Sequence, residues 1–381
     1  MNKYKYYMHC LPNVGDATIY KLLDEALDAK NVYHRIMDKE PKILEVLKKN
    51  LHSEDKVTSV IKQTKVWNVD DKYEEMLSRD IAFITIDDNE YPKRLCDIAT
   101  PPYALYVKGS IPENDIPSVA IIGARNCSEY GTFIANAFGE SIAKYGINII
   151  SGMARGVDGI SQRGALNADG RTYAVLGSGV DVCYPASNFK LYRAIQDKGG
   201  IISVFPPGAE PLRQHFPERN KIVAALSDIV LVVEAKIKSG TAITVDLALR
   251  MGKDIYAVPG RLTDRLSDGC NRLIRDGAGI ALSPEDIINE VGVVWKRLHP
   301  DSELFSEGEV QNVENYAPKK DEGILKYLDA TPRSVEEIHN RRIKDEPGFT
   351  MSQTMSELVM LSISGAASQI GTGYFYRVLN L

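Results

Sequence analysis

Apolar and polar positions follow different rhythms along the chain. Up to about residue 80 apolar side chains recur at helical spacing, as in Ile19, Leu22, Leu23, Ala26 and Leu27, just after a turn at Pro12-Asn13-Val14-Gly15. That period marks amphipathic helices. Residues 91–117 carry Pro and Gly at intervals and read as the connection to the middle of the chain. There the rhythm changes. Short apolar runs at 119–122, 147–150, 172–176, 201–202, 229–233 and 255–258 alternate with helical stretches. In the first of those stretches Phe133, Ile134, Ala137, Phe138, Ile142 and Tyr145 share one face. Continuous β-branched runs mark strands buried on both sides. Their alternation with helices predicts an α/β fold with a doubly wound, mostly parallel sheet.

Near residue 300 the chain turns polar and acidic (Asp301, Ser302, Glu303, Glu307, Glu309) and reads as a linker. Beyond it Ile324, Leu325 and Leu328 open a helix, and Ser334 with Glu337 makes a capping box for a second. Met351, Met355, Leu358, Val359 and Leu361 line a third, and Gly371-Thr372-Gly373 joins 367–370 to 374–378 as a hairpin. Three helices and a hairpin predict a winged-helix domain. The expected recognition helix, 350–354, has no Lys or Arg, and Glu357 follows it. Duplex binding needs phosphate neutralisation, so this segment fits a protein-contact role as well as DNA binding.

A doubly wound sheet binds ligands beyond the carboxyl ends of its strands. Those positions hold Gly123-Ala124-Arg125, then Ser151-Gly152-Met153-Ala154-Arg155-Gly156-Val157-Asp158, then Gly177-Ser178-Gly179, and finally Glu234-Ala235 with Ser239-Gly240-Thr241. Glycines let backbone amides approach an anion, Ser and Thr at helix starts add hydroxyls, and helix N-termini add positive potential. Together they predict a phosphate-binding rim. Any one turn also fits the tight corner such a fold needs, and Arg155 has a structural alternative as the partner of Asp158. A second group, His215 to Lys221, places Arg219, Asn220 and Lys221 in the first turns of a helix with Pro217 at its start. Basic residues there oppose the helix dipole, a conflict an anion would relieve. For Lys221 an ion pair through Glu218 is the plainer alternative.

Catalytic groups are sparse. Asp158 and Glu234 are the carboxylates nearest the rim, but no nucleophile, base and orienting group assemble around them. His215, beside an aromatic, reads as a packing or stacking residue. No P-loop occurs, and Gly177-x-Gly179 lacks the third glycine of a dinucleotide fingerprint because position 182 is Val. The five cysteines form no CxxC pair and the six histidines no HExxH motif, so no metal site is expected. No segment approaches the roughly 18 consecutive apolar residues of a membrane span, and the first ten residues lack the apolar core of a signal peptide. The expectation is a cytoplasmic protein with reduced thiols and no membrane partner.

Charge sharpens the picture. The chain holds 46 Lys+Arg against 51 Asp+Glu, a net charge of −5, which excludes a globally basic nucleic-acid binder. The excess is local. Residues 118–280 carry 19 basic and 15 acidic side chains, and twelve of the nineteen are Arg, the type suited to planar contact with phosphate. The acidic surplus lies in 1–117 and 281–381.

In order along the chain these motifs resemble the DprA/Smf family of bacterial DNA-processing proteins. Besides the strand-end segments, the resemblance rests on Tyr91-Pro92, 101–106, Tyr184-Pro185 with Asn188, Phe216-Pro217-Glu218-Arg219-Asn220-Lys221-Ile222, Val258-Pro259-Gly260 and Asn271-Arg272-Leu273-Ile274. It is dense from about 91 to 291 and looser on either side. It implies an extended Rossmann-like domain over 81–295, preceded by a helical domain of helix-hairpin-helix or SAM-like type at 1–80. A linker at 296–320 and a winged-helix domain at 321–381 would follow. It further implies a non-enzymatic protein, usually a homodimer, that binds single-stranded DNA and helps load a RecA-type recombinase in natural transformation. Carried over residue by residue, the expected DNA and phosphate contacts are Arg125, Ser151, Gly152, Arg155, Arg219, Asn220, Lys221, Ser239, Gly240 and Thr241, with Lys190 beside the Tyr184-Pro185 motif. Ala124, Val204 and Lys221 depart from the family's common Ser, Glu and Arg. The alternative is a hydrolase of nucleotide or phosphoribosyl ligands, since related Rossmann-like folds act on these. Its Pro-Gly-Gly…Gly-Thr loop with a following Glu is absent here. A protein-contact scaffold is a third possibility, suggested by the acidic flanks.

Overall fold

The computed structural model describes residues 2–300, 302, 304, 323–328, 332–363, 367–370 and 373–377. Six helices open the chain: α1 (Asn2–His9), α2 (Asp16–Ala26), α3 (Ala29–Met37), α4 (Pro41–Leu51), α5 (Glu54–Val66) and α6 (Val69–Ser78). The apolar spacing read from sequence is their buried face, with Ile19, Leu22, Ile43, Leu47, Val57 and Val60 all interior.

A nine-stranded sheet follows. Its strands are β1 (Ala82–Thr85), β2 (Ala104–Gly109), β3 (Ser118–Ile122), β4 (Asn148–Ser151), β5 (Thr172–Val175), β6 (Gly200–Ser203), β7 (Ile229–Val232), β8 (Asp254–Ala257) and β9 (Gly279–Ile280). Their order is β1-β2-β6-β5-β4-β3-β7-β8-β9. All pairs from β6 to β9 are parallel, and β2 joins β6 and β1 antiparallel. The sheet is therefore doubly wound and mostly parallel, an extended Rossmann-like arrangement. One expectation is corrected here. The stretch 91–117 is not a bare connection, because Ala104-Leu105-Tyr106-Val107 is a fully buried strand of the main sheet.

Side chains alternate cleanly across the strands. Val119, Ile121, Ile149, Ile229 and Leu231 face one side, under α7 (Glu129–Lys144), α8 (Val157–Asn167) and α13 (Pro284–Leu298). Ala120, Ile122, Ile150, Val230 and Val232 face the other, under α10 (His215–Ala225), α11 (Gly240–Arg250) and α12 (Asp268–Arg275). Helix α9 (Phe189–Lys198) shares its core with the six opening helices through Tyr6, Phe83, Tyr106 and Ile195. The opening helical layer and the sheet are thus joined by one continuous apolar core.

The expected face of α7 is also revised. Phe138 and Ile142 are buried, but Tyr145 is exposed and the small residues Gly131, Ala135 and Gly139 are interior. A Cβ on Gly139 would collide with the backbone of Ser161. The small-residue stripe lets α8 pack closely, so α7 is buried on two sides rather than one.

Helix α13 continues to Leu298, past residue 295, and Trp295 is buried with its indole N–H on Ser302 Oγ at 3.0 Å. Most of 296–320 lies outside the described residues. Farther on, Gly323–Tyr327 forms a 3-10 turn where an α-helix was expected. Helices α14 (Val335–Asp345) and α15 (Met351–Ile363) accompany a small antiparallel sheet ordered β10 (Arg333–Ser334), β12 (Tyr374–Arg377), β11 (Ala367–Ile370). The Ser334–Glu337 capping box is present. Among the described residues no helix is long and apolar enough to cross a membrane, and no cluster of His, Cys, Asp and Glu has metal-binding geometry.

Candidate functional site

Strand order reverses between β3 and β7. The chain winds outward from β3 through β6 and returns to the other side at β7. The loops after β3 and β7 therefore diverge at the carboxyl ends, and a crevice opens between them. It is lined by Arg125, Gly152, Arg155, Phe216, Arg219 and Asn220, and extends to Ser239, Gly240 and Thr241 at the start of α11. Eight of the eleven residues expected from sequence thus meet in one cleft.

Arg219 forms its floor. The residue is 5% exposed. Its Nη1 donates to the carbonyls of Gly152 and Val175, and its Nε donates to Asn220 Oδ1 at 3.0 Å. Burial pushes the guanidinium pKa down, partly offset by nearby Asp158. Burial also raises the Asp158 carboxyl, against the pull of Arg219 and the Gly152 N–H, which donates to Oδ2 at 3.2 Å. The neighbour of Asp158 is Arg219. Arg155, whose structural alternative was to pair with Asp158, makes no ion pair with any described residue.

Arg125 forms the rim. Its guanidinium lies 5.4 Å from the centre of the Phe216 ring, and that of Arg219 lies 5.8 Å from the same centre. Two cations thus share one aromatic ring. Arg125 and Arg155 are exposed, and neither pairs with a described carboxylate. The arrangement concentrates positive charge, opposed at its floor by Asp158. Two glycines make it possible. Gly152 leaves no room for a Cβ against the Arg219 guanidinium. Gly156 holds φ +73 and ψ −136 just before α8, a conformation reserved for glycine, with Ala124 O in the space a Cβ would need.

Helix α10 begins at His215, two residues before Pro217, which occupies its first turn without breaking a hydrogen bond. His215 is a packing residue as expected. It stacks on Phe205 at 4.0 Å, and its Nδ1 is 3.2 Å from Gly177 O. At the far end of the cleft Ser239 precedes α11 in extended conformation. Its hydroxyl does not cap the helix and has no hydrogen-bond partner among the described residues.

Three expected residues stand elsewhere. Ser151 is fully buried and spends its hydroxyl on Ile121 O at 2.7 Å. Lys221 points away from the cleft toward the opening helical layer, with Nζ 3.3 Å from Thr100 O and its charge near Asp16. Lys190 is exposed on α9, outside the lining. Conversely Phe216 and Tyr184, whose rings lie 5.9 Å apart in the cleft, were not among the contacts expected from sequence. The signal was present: Phe216 stands three residues before a basic cluster at a helix start.

Glu234 is committed to structure. Both carboxylate oxygens accept from Ser128, one from its N–H and one from its hydroxyl, and Gly131 packs against the group. It anchors the start of α7, is 1% exposed and does not line the cleft.

Residues 82–292 match the family model described as DNA recombination-mediator protein A. The chain is similar to the DNA processing protein DprA of Streptococcus pneumoniae, with 37% identity over 224 residues, 59% of this chain and 79% of that one. The X-ray structure of S. pneumoniae DprA superposes with a TM-score of 0.62 at 31% identity, covering 76% of this chain and 98% of that one. DNA processing protein A of Helicobacter pylori, in a structure concerned with its single-stranded DNA binding mode, gives a TM-score of 0.50 at 32% identity, covering 55% and 95%.

Proposed function

The chain belongs to the DNA recombination-mediator protein A family, the DprA/Smf proteins, and from that premise we propose that its strand-end cleft binds single-stranded DNA. One observation carries the reading: Arg125 and Arg219 both lie within 6 Å of the centre of a single Phe216 ring beside glycine turns, and Arg125 has no carboxylate partner among the described residues. Cations around an aromatic face suit a strand whose phosphates and bases are both accessible. Arg125, Arg155 and Arg219 neutralise phosphates. Gly152, Asn220, Ser239, Gly240 and Thr241 supply close backbone approach and hydroxyl or amide donors. Ser151 and Lys221 act as supports, one fixing the β4 end and the other tying α10 to the opening helices. Glu234, 1% exposed and outside the cleft lining, gives the hydrolase alternative no support.

The same proposal has the protein act in the cytoplasm as a homodimer, without a cofactor, and hand the strand to a RecA-type recombinase in natural transformation. Residues 1–80 form its helical domain, 81–298 its DNA-binding domain with α13 carrying it past the expected limit of 295, 299–320 a linker and 321–381 a winged helix used for protein contact.

A salt series of fluorescence anisotropy on oligo-dT and a matched duplex tests the binding. Three phosphate contacts predict a slope of log K against log salt of about −2 for the single strand, with weaker duplex binding. Equal affinity for both forms, or a flat salt response, refutes the proposal.

A further inference from the structure

The cleft does not account for the surface beside it. After Tyr184-Pro185 the residues Ala186–Asn188 make a 3-10 turn that leads into α9. Asn188 stands before the helix but does not cap it. Its side-chain amide donates instead to Met153 O at 3.0 Å and Ala154 O at 3.3 Å. Those bonds fix the start of α9 against the loop that carries Arg155.

Two aromatic rings face solvent on this fixed edge. Tyr184, at the cleft mouth, is 43% exposed. Phe189, five residues on, is 57% exposed and lies on the ring of Tyr192 with the planes 21° apart. Lys190 is the neighbour of Phe189, and Arg193 stands one helical turn along on the same face. Both are exposed, and neither makes an ion pair or hydrogen bond with a described residue. Neither the exposed ring nor the basic residue at a helix start serves stability. The first forgoes burial and the second opposes the dipole.

We infer that Tyr184 and Phe189, with Lys190 and Arg193, form a base-stacking ramp that carries a DNA strand beyond the cleft. The inference rests on the proposed single-strand binding and extends its footprint. An aromatic face accepts any unpaired base, while cations beside the rings track the backbone. A duplex keeps its bases stacked on one another and cannot use the ring, so the ramp favours single strands. Only an oligonucleotide long enough to pass Tyr184 reaches Phe189.

The test compares the full chain with Phe189→Ala, Phe189→Leu and Phe189→Tyr, by anisotropy on dT6, dT20 and an abasic 20-mer. Stacking on one ring is worth about fivefold to a hundredfold in affinity. The Ala and Leu variants should lose at least about fivefold on dT20, and Tyr should retain wild-type binding. All four should bind dT6 alike and the abasic strand alike, with unchanged unfolding midpoints. Wild-type affinity of Phe189→Ala for dT20 overturns the ramp. So does rescue by Leu, which would make Phe189 a general apolar contact. If the wild-type chain shows no preference for dT20 over duplex, the cleft reading fails and the ramp with it.

Discussion

Gly152→Ala tests how the cleft floor is built. The backbone at Gly152 is not in the left-handed region, so alanine is conformationally allowed there. The cost arises in contact alone. A Cβ would sit 2.6 Å from Nη2 of Arg219 and closer still to Nη1 and Cζ. Ordinary contact is about 3.5–4 Å, so the guanidinium must withdraw by about an ångström or more. It is held by the carbonyls of Gly152 and Val175, and withdrawal surrenders both bonds. Hydrogen bonds from a charged donor are worth about 1.5–3 kcal/mol each. Partial rehydration at the cleft and the loss of unfolded-state freedom on replacing glycine, about 0.4–1 kcal/mol, offset much of that. The net expectation is a destabilisation of about 1–3 kcal/mol. Urea unfolding should show a lower midpoint at unchanged slope, and single-strand affinity should fall. A double-mutant cycle isolates the cause. In an Arg219→Ala background the clash is gone, and Gly152→Ala should be neutral or slightly stabilising. An equal penalty in both backgrounds refutes the reasoning.

Three further outcomes follow from the geometry. His9, enclosed by Phe83, Tyr103 and Tyr106 with Nδ1 2.9 Å from the Tyr106 hydroxyl, has its pKa lowered by burial to about 4. A depressed folded-state value means that stability is present above the unfolded value of 6.5 and lost as pH falls toward 4. Unfolding curves at pH 7 and 4.5 should differ by up to about 3 kcal/mol from this group, a difference that His9→Phe removes. Arg125→Ala should make the single-strand salt slope shallower by about 0.7 with little change in unfolding midpoint, and a salt slope identical to wild type would remove Arg125 from the phosphate contacts. Glu234→Gln leaves one Ser128 donor without an acceptor and should cost about 1–3 kcal/mol, read by thermal unfolding, while single-strand affinity below the transition stays within about twofold.

Much of this fold was legible because its signals are local. Continuous runs such as 229–233 could only be interior strands, and the glycine turns after them marked the ligand end. Where long-range contact decided the outcome, sequence reasoning fell short. Strand β2 sits among prolines, and its membership of the sheet depends on pairing with β6 almost a hundred residues later. The buried side of α7 was set by the approach of α8, which no period within α7 encodes. At the site, residue type identified the arginines but not their direction. Arg219 and Lys221 are two residues apart on α10, about 200° around a helix, and so face the cleft and the opening helices respectively. Ser151 had the right chemistry but lay inside the sheet, where its hydroxyl went to the nearest strand carbonyl.

The cleft also divides by what change it tolerates. Arg125 and Arg155 are exposed and hold nothing else in place, whereas Arg219 is enclosed by two carbonyls, a glycine and a buried carboxylate. Because the gap comes from the reversal of strand order and not from missing core side chains, its rim can change without opening a cavity. The rim is therefore an adjustable part and the floor a fixed one. Affinity for the strand can drift or be engineered through Arg125 and Arg155 over a wide range while the fold stays intact. A lineage that altered Arg219 would have to rebuild the end of β4 as well.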